Sequence, residues 1–352
     1  MNEGRFALQA MTPEDLAAAV PPMTVAEARK IVAAVHREDP TDGPLGGVRR
    51  IVLAAMRAVA STPTLEIARE EASALDPFQK VALRTADGHL IETVRIPLER
   101  AGRFSVCVSS QVGCALGCRF CATGRMGLVR NLEAWEIVEQ VRVVRRTLPP
   151  GSRVHGVVFQ GMGEPMANLD RVLQAIRVMS DPCALAIDAR NITVTTSGLP
   201  AGIRRLAAEA KKVRLGLSIS SARQATRRSL MPIAAAHSVD EVYAACVHHA
   251  EITGLSPLWA VTPLAGVNDT EEDAQALAAL LQRFVVDTGR RPRLTVVPYN
   301  NIGGDDPYLR QSPAEESRFR DRLAVLGTPP KKRYSGGSDI QAACGQLAGR
   351  EQ

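Results

Sequence analysis

The sequence predicts an α/β protein, a partial (β/α) barrel with a small helical module at its N-terminus. Short apolar runs alternate with helical stretches through the second half of the chain, the pattern of parallel strands covered by helices. The polar and glycine-containing motifs fall where those runs end, and barrels gather their chemistry at the C-terminal ends of the strands. Residues 1–85 read instead as short helices. With 352 residues the chain can hold one large domain and one accessory domain. The expected division is a helical accessory module over 1–85 and the barrel core, with a C-terminal segment, over 86–352.

Each element has a local reason. Thr12-Pro13-Glu14-Asp15 starts a helix, with Thr12 as N-cap, Pro13 in the first turn and acids after it. Thr24-Val25-Ala26-Glu27 starts a second with a capping box. Prolines and glycines between Asp39 and Gly47 mark a loop. Strand-like runs follow at Val81–Arg84 and Leu90–Ile96, closed by Pro97. Asn131 is expected to cap a helix from Leu132 to about Arg146, acidic early and basic late as the helix dipole favours. Strands are then expected at Gly156–Gln160, Ile192–Thr196, Val213–Ser218, Leu258–Thr262 and Leu294–Pro298, with helices between them such as Asp269–Val285.

Composition narrows the function. No run of about 18 apolar residues exists, so no membrane-spanning helix is expected. Met1-Asn2-Glu3-Gly4-Arg5 lacks the pattern of a signal peptide. A cytoplasmic location is expected, where cysteines bind metals or do chemistry more often than they form structural disulfides. A net charge of +6 and a pI near 9.1 permit a polyanionic partner. Aromatic residues at 4% argue against broad stacking on single-stranded bases.

Cys114, Cys118 and Cys121 are the most informative feature. Three thiolates can hold three irons of a [4Fe–4S] cluster and leave the fourth iron open to a ligand. That spacing is similar to the one by which radical SAM (S-adenosylmethionine) enzymes hold their cluster. Structural zinc wants four ligands, and no second pair follows. Zinc and coincidence remain as alternatives from spacing alone. Gly161-Met162-Gly163-Glu164-Pro165 follows a strand, and Glu164 offers a carboxylate for an ammonium group. Thr195-Thr196-Ser197-Gly198 and Ser218-Ile219-Ser220-Ser221 close two more strands with hydroxyls, which could bind a ligand or cap the next helix. Cys107 and Cys344 are orphan cysteines, buried hydrophobes unless exposed and deprotonated. Adjacent His248 and His249 diverge on a helix and read as surface. Cys183 and Cys246 read as core or loop residues. Arg204-Arg205, Lys211-Lys212, Arg227-Arg228 and Lys331-Lys332-Arg333 read as phosphate contacts or solvated faces.

Taken together, Cys107–Cys118, Phe120-Cys121-Ala122-Thr123-Gly124, Gly161–Pro165, Thr196–Gly198 and the tail Ala342–Gly349 resemble the RlmN/Cfr family of radical SAM RNA methyltransferases, in the same order. The resemblance covers about Ile91 to Gly349. It implies a [4Fe–4S] cluster on Cys114, Cys118 and Cys121, and two uses of SAM. One SAM methylates Cys344. A second, cleaved at the cluster, gives a deoxyadenosyl radical that takes hydrogen from that methyl group, and the thiomethylene radical adds to an adenine carbon. Cys107 then resolves the protein–RNA adduct through a transient disulfide with Cys344. The resemblance also implies Glu92 as proton acceptor, although Glu92 on its own reads as an exposed strand residue. Gly163, Glu164, Thr195, Ser218, Ile219, Ser220 and Asn300 align with the family's SAM contacts.

Departures from the family pattern are local. Ser218-Ile219-Ser220-Ser221 stands where Ser-Leu-His-Ala is usual, Thr195 stands where serine is common, and the N-terminal module lacks an aromatic-rich helix. The implied partners are rRNA, with tRNA as a second substrate, and an electron donor such as flavodoxin or ferredoxin. The N-terminal module is then a candidate RNA-docking element, and a monomer is expected. Rival readings are the same methyl-carrier chemistry on another RNA or a small molecule, and a non-catalytic, metal-stabilised RNA-binding protein.

Overall fold

A computed structural model describes residues 5–326, 330–332 and 334–349; Met1–Gly4 and Arg333, read above, lie outside them. The N-terminal module holds α1 (Pro13–Ala19), α2 (Val25–Arg37) and α3 (Arg50–Val59), closed by the parallel pairing of β1 (Phe6–Ala7) with β2 (Ala60–Ser61). Both expected caps are formed: Thr12 accepts from the Asp15 N–H, and Thr24 and Glu27 make a reciprocal capping box. Leu16, Ile31, Val35, Val52 and Met56 bury a separate small core.

The helices stop at Val59, well short of residue 85. Strand β3 (Glu66–Ala72) pairs antiparallel with β4 (Gln79–Arg84), which pairs with β5 (Leu90–Pro97), which pairs with β6 (Arg103–Val108). The main sheet therefore takes in residues read as helical. Glu66-Ile67-Ala68-Arg69-Glu70-Glu71-Ala72 is charged and mostly exposed, so its sequence hides a strand. Pairing with β4 overrides its local preference, as happens at a sheet edge.

From β6 the sheet is parallel. Beyond β7 (Gln111–Cys114), α4 (Ala122–Arg125) and β8 (Gly127–Asn131), a run of alternating elements follows. It comprises α5 (Ala134–Arg146), β9 (Arg153–Phe159), α6 (Leu169–Ser180), β10 (Ile192–Thr196), α7 (Pro200–Glu209), β11 (Arg214–Ser218), α8 (Gln224–Leu230), α9 (Val239–Thr253), β12 (Leu258–Val261), α10 (Glu271–Thr288), β13 (Arg293–Val296), α11 (Pro313–Arg322) and β14 (Lys331–Lys332). The ten-stranded order is β14-β13-β12-β11-β10-β9-β6-β5-β4-β3. Strands β6 and β9 to β14 pair parallel, each with its neighbour. This is the expected α/β partial barrel, extended at one edge by an antiparallel meander. Val106, Val157, Phe159, Val194, Leu215 and Trp259 fill its core.

Several expectations need local correction. Glu133, not Asn131, caps α5 through a box with Glu136, because Asn131 is still paired in β8. Helix α10 starts at Glu271 behind its Thr270 cap, not at Asp269. His249, read as surface, is fully buried, while Cys246 packs in the core as one of its two readings had it. Arg227, read as phosphate-facing or solvated, is 1% exposed. Among the described residues no helix is long and apolar enough to cross a membrane.

The module docks on the core through α5. Arg145 of α5 donates to the His36 carbonyl at the end of α2, and Arg146 pairs with Glu38 at 2.7 Å. The His36 ring is buried, and burial, reinforced by Arg142 and Arg145, lowers its pKa from 6.5 to about 3. The unfolded chain therefore takes up a proton below pH 6.5 that the folded chain refuses until about pH 3. Stability falls across that window, by up to about 1.4 kcal/mol per pH unit from this one group. His36→Leu is expected to flatten the slope, read as urea midpoints between pH 7 and pH 4.5. An unchanged slope would show that His36 carries none of it.

Candidate active site

The parallel strands deliver their C-terminal ends to one cavity. Gln160 and Gly161 follow β9, Thr195–Ser197 end β10, Ser218 ends β11, Thr262 follows β12, and Val297 and Tyr299 follow β13. With Cys118, Cys121 and Cys344 they surround about 820 Å³, open to solvent. Among the predicted SAM contacts, Gly163, Glu164, Thr195 and Ser218 lie on this wall.

The cysteine loop is wrapped tightly by the backbone. Cys114 ends β7, Cys118 packs with Leu230, Met231 and Tyr299, and Cys121 precedes α4. Gly113 has φ +73°, and a Cβ there would stand 1.9 Å from the Gly127 carbonyl oxygen, so only glycine lets β7 and β8 close. Burial pushes the Cys114 thiol up to about 11 and the Cys118 thiol to about 12, with Cys121 and Cys114 adding to the rise at Cys118. Burial raises Cys121 too. To act as ligands these buried thiols must lose their protons, which a cationic iron–sulfide core favours. Three cysteine sulfurs from one buried loop are the donor set that an iron–sulfide cluster takes.

The glycines of Gly161–Pro165 serve packing as much as ligand approach. Gly163 has φ +97°, and its Cβ would meet the Gln111 side chain at 2.5 Å, so the turn presses directly onto the cysteine strand. Glu164 is 3% exposed. Its carboxylate accepts from the Met166 N–H at 3.0 Å and the Ser197 N–H at 2.9 Å, tying the ends of β9 and β10 together. Burial raises its pKa. Thr195 Oγ1 is buried with no hydrogen-bond partner among the described residues, on a residue of the cavity wall. Such an atom is a ready partner for a polar ligand. Thr195→Val is expected to cost about 1 kcal/mol of SAM binding, roughly a fivefold rise in Kd. Equilibrium binding would read this, and an unchanged Kd would remove Thr195 from the contact set.

Three predicted contacts lie off the wall. Ile219 is buried with its N–H on the Ala260 carbonyl. Ser220 adopts φ +57°, and its carbonyl accepts from Asn268 Nδ2 at 2.7 Å. Asn300 Nδ2 donates to the Cys344 carbonyl at 3.2 Å and to Ser335 Oγ at 2.9 Å. Asn300 thus holds the C-terminal segment.

That segment, residues 334–349, is a strap laid across the barrel mouth. Asp76 accepts from Tyr334 Oη and the Gly337 N–H, each at 2.9 Å, and Ser73 donates to Asp339 at 2.7 Å. The Ala122 N–H donates to the Gly345 carbonyl at 2.8 Å, on the far side of Cys344. The strap ends on Glu92, whose Oε2 accepts from the N–H groups of Ala348 at 2.7 Å and Gly349 at 3.1 Å. Glu92 is buried rather than exposed, and its Oε1 pairs with buried Lys80 at 3.2 Å.

Cys344, near the end of the strap, opens into two cavities. One is the 820 Å³ space beside Cys118 and Cys121. The other, about 620 Å³, is lined by Phe78, Val94, Ile96, Cys107 and Tyr334. Cys107 and Cys344 therefore share a chamber. Gln160, Thr262 and Tyr299 also line the cavity and were not singled out from sequence. Their position just after an apolar strand run was the available signal.

A cysteine-lined mouth on a parallel partial barrel is the architecture of radical SAM proteins, and the Radical SAM superfamily pattern matches residues 108–281. A protein of Sorangium cellulosum named as a probable RNA methyltransferase is 55% identical over 96% of this chain and 91% of its own. The probable dual-specificity RNA methyltransferase RlmN of Symbiobacterium thermophilum is 41% identical over 78% of this chain and 71% of its own. The crystal structure of a radical SAM methyltransferase from Sphaerobacter thermophilus superposes with a TM-score of 0.87 at 34% identity, over 98% of this chain and 100% of that one. The chain belongs to the radical SAM RNA methyltransferases of the RlmN type.

Proposed function

We propose that this protein methylates an adenine carbon of RNA, C2 in preference to C8, with Cys344 as methyl carrier. Ribosomal RNA is the primary substrate and transfer RNA a second. The observation that carries the reading is the place of Cys344, between the cavity beside the cluster cysteines and the chamber shared with Cys107. A methyl group received on one side can be presented on the other without leaving the protein.

Cys114, Cys118 and Cys121 hold the [4Fe–4S] cluster, which supplies, when bound, the electron that splits SAM. Thr195, Ser218 and the Gly163–Glu164 turn form the SAM wall, while Ile219 and Ser220 shape it from behind. Asn300 fixes the backbone of Cys344, so the thiol keeps its bearing on both cavities. The second chamber takes the adenine against Phe78, Val94 and Ile96. Cys107 stands there to attack Cys344 and release the product. Glu92 is assigned as proton acceptor, at the foot of the strap beside Lys80.

The test is peptide mass spectrometry on Cys344 after anaerobic cluster reconstitution and incubation with methyl-labelled SAM. A labelled methyl group on Cys344, absent in Cys118→Ala, is the expected result. An unmodified Cys344 on protein with an intact cluster would overturn the methyl-carrier assignment.

A further inference from the structure

Arg227 is the largest charged side chain in the protein's fully buried set, at 1% exposure. Its guanidinium is spent on carbonyls: Nε donates to Ile219 at 3.2 Å, Nη1 to His237 at 3.5 Å, and Nη2 to Ser197. Two thiols, Cys118 and Cys246, act on it electrostatically, and among the described residues it forms no ion pair with a carboxylate. It lines neither cavity, so it is not placed to touch SAM or RNA directly.

Its helix is bound to the cysteine loop. Leu230 and Met231, at the end of α8, pack with Cys118, and the Arg119 N–H donates to the Leu230 carbonyl at 3.0 Å. Ser197, whose carbonyl Arg227 holds, lines the same cavity as Cys118. A buried cation without a counter-ion is costly to keep. Here it stands behind a cysteine whose cluster is net negative and gains one further negative charge on reduction. Cluster potentials respond to net local charge and to hydrogen bonds at the sulfurs.

We propose that Arg227 is a positioning and charge-compensating residue for the cluster, favouring its one-electron-reduced state from behind Cys118. Its charge raises the reduction potential, and its bonds to the Ser197 and Ile219 carbonyls hold the cation at a fixed distance. The proposal rests on the radical SAM assignment and is independent of which RNA is modified.

The experiment is a redox titration with dithionite as reductant, followed by the electron paramagnetic resonance signal of the reduced cluster. Two variants alter the charge by different routes. Arg227→Gln removes it and keeps hydrogen-bond donors. Cys246→Asp cancels it with a carboxylate from buried Cys246, leaving every guanidinium bond in place. Both are expected to shift the midpoint potential to more negative values at unchanged iron and sulfide content, and Arg227→Lys is expected to stay near the native value. A cluster-loaded Arg227→Gln or Cys246→Asp protein at the native potential would overturn the proposal. If Arg227→Gln does not fold, Cys246→Asp decides alone. Methylation of Cys344 does not enter the readout, so failure here leaves the proposed function standing. A chain that binds no cluster would sink both.

Discussion

Cys107→Ala is expected to trap the protein on its RNA. In the proposed reaction Cys344 becomes bonded to an adenine carbon through the transferred methylene, and only a second thiol in the same chamber can displace it. Cys107 and Cys344 both line the second chamber, where Cys107 is buried. With Cys107 gone, a covalent protein–RNA species should accumulate, visible as a shifted band on a denaturing gel. Product should fall by about 10³-fold or more, the order seen when a residue of a covalent mechanism is removed. Cys344→Ala should give neither adduct nor product, because the carrier itself is absent. An active Cys107→Ala enzyme that forms no adduct would assign release to another group.

Lys80→Met is expected to be the most damaging substitution outside the cysteines. Lys80 is 2% exposed and bridges Glu71 at 3.1 Å and Glu92 at 3.2 Å. Removing it leaves the Glu92 carboxylate buried without its cation, a change that costs about 3–5 kcal/mol in comparable buried pairs. The strap should loosen at the same time, since Glu92 is also the acceptor for the Ala348 and Gly349 N–H groups. Urea unfolding reads the first effect, and faster hydrogen exchange at Ala348 and Gly349 reads the second. The double variant Lys80→Met with Glu92→Leu should recover part of the stability, because no charge is then left unpaired. A loss below about 1 kcal/mol in the single variant would show that water reaches Glu92 and supports it.

The cluster cysteines and the alternating strands were legible because their signals are local. Ligand spacing within one loop is set by a few residues, and an apolar run flanked by turn residues reads as a strand wherever it sits. Helix starts at Thr12 and Thr24 were legible for the same reason, since a cap is made by side chains three residues apart. The antiparallel extension was not. Glu66–Ala72 carries no apolar alternation and becomes a strand only by pairing with β4.

Site residues divide along the same line. Cys114, Cys118 and Cys121 were visible by spacing, and Glu164, Thr195 and Ser218 by their position after strands. Glu92 and Asn300 became candidates only through family resemblance, and the orphan cysteines Cys107 and Cys344 gained a role only through it, because the contacts that give them meaning span large sequence separations. Glu92 meets Ala348, and Asn300 meets the Cys344 carbonyl. Arg227 was misread as solvated or phosphate-facing because an Arg-Arg pair says nothing about which side chain is turned inward. By itself the sequence determined the barrel class and the family, and offered three cysteines at the spacing of cluster ligands. Only the tertiary structure decided that a strap suspends Cys344 between two cavities and that a buried cation backs Cys118. Those arrangements depend on side chains brought together from opposite ends of the chain, and burial acts on the folded neighbourhood rather than on the order of residues.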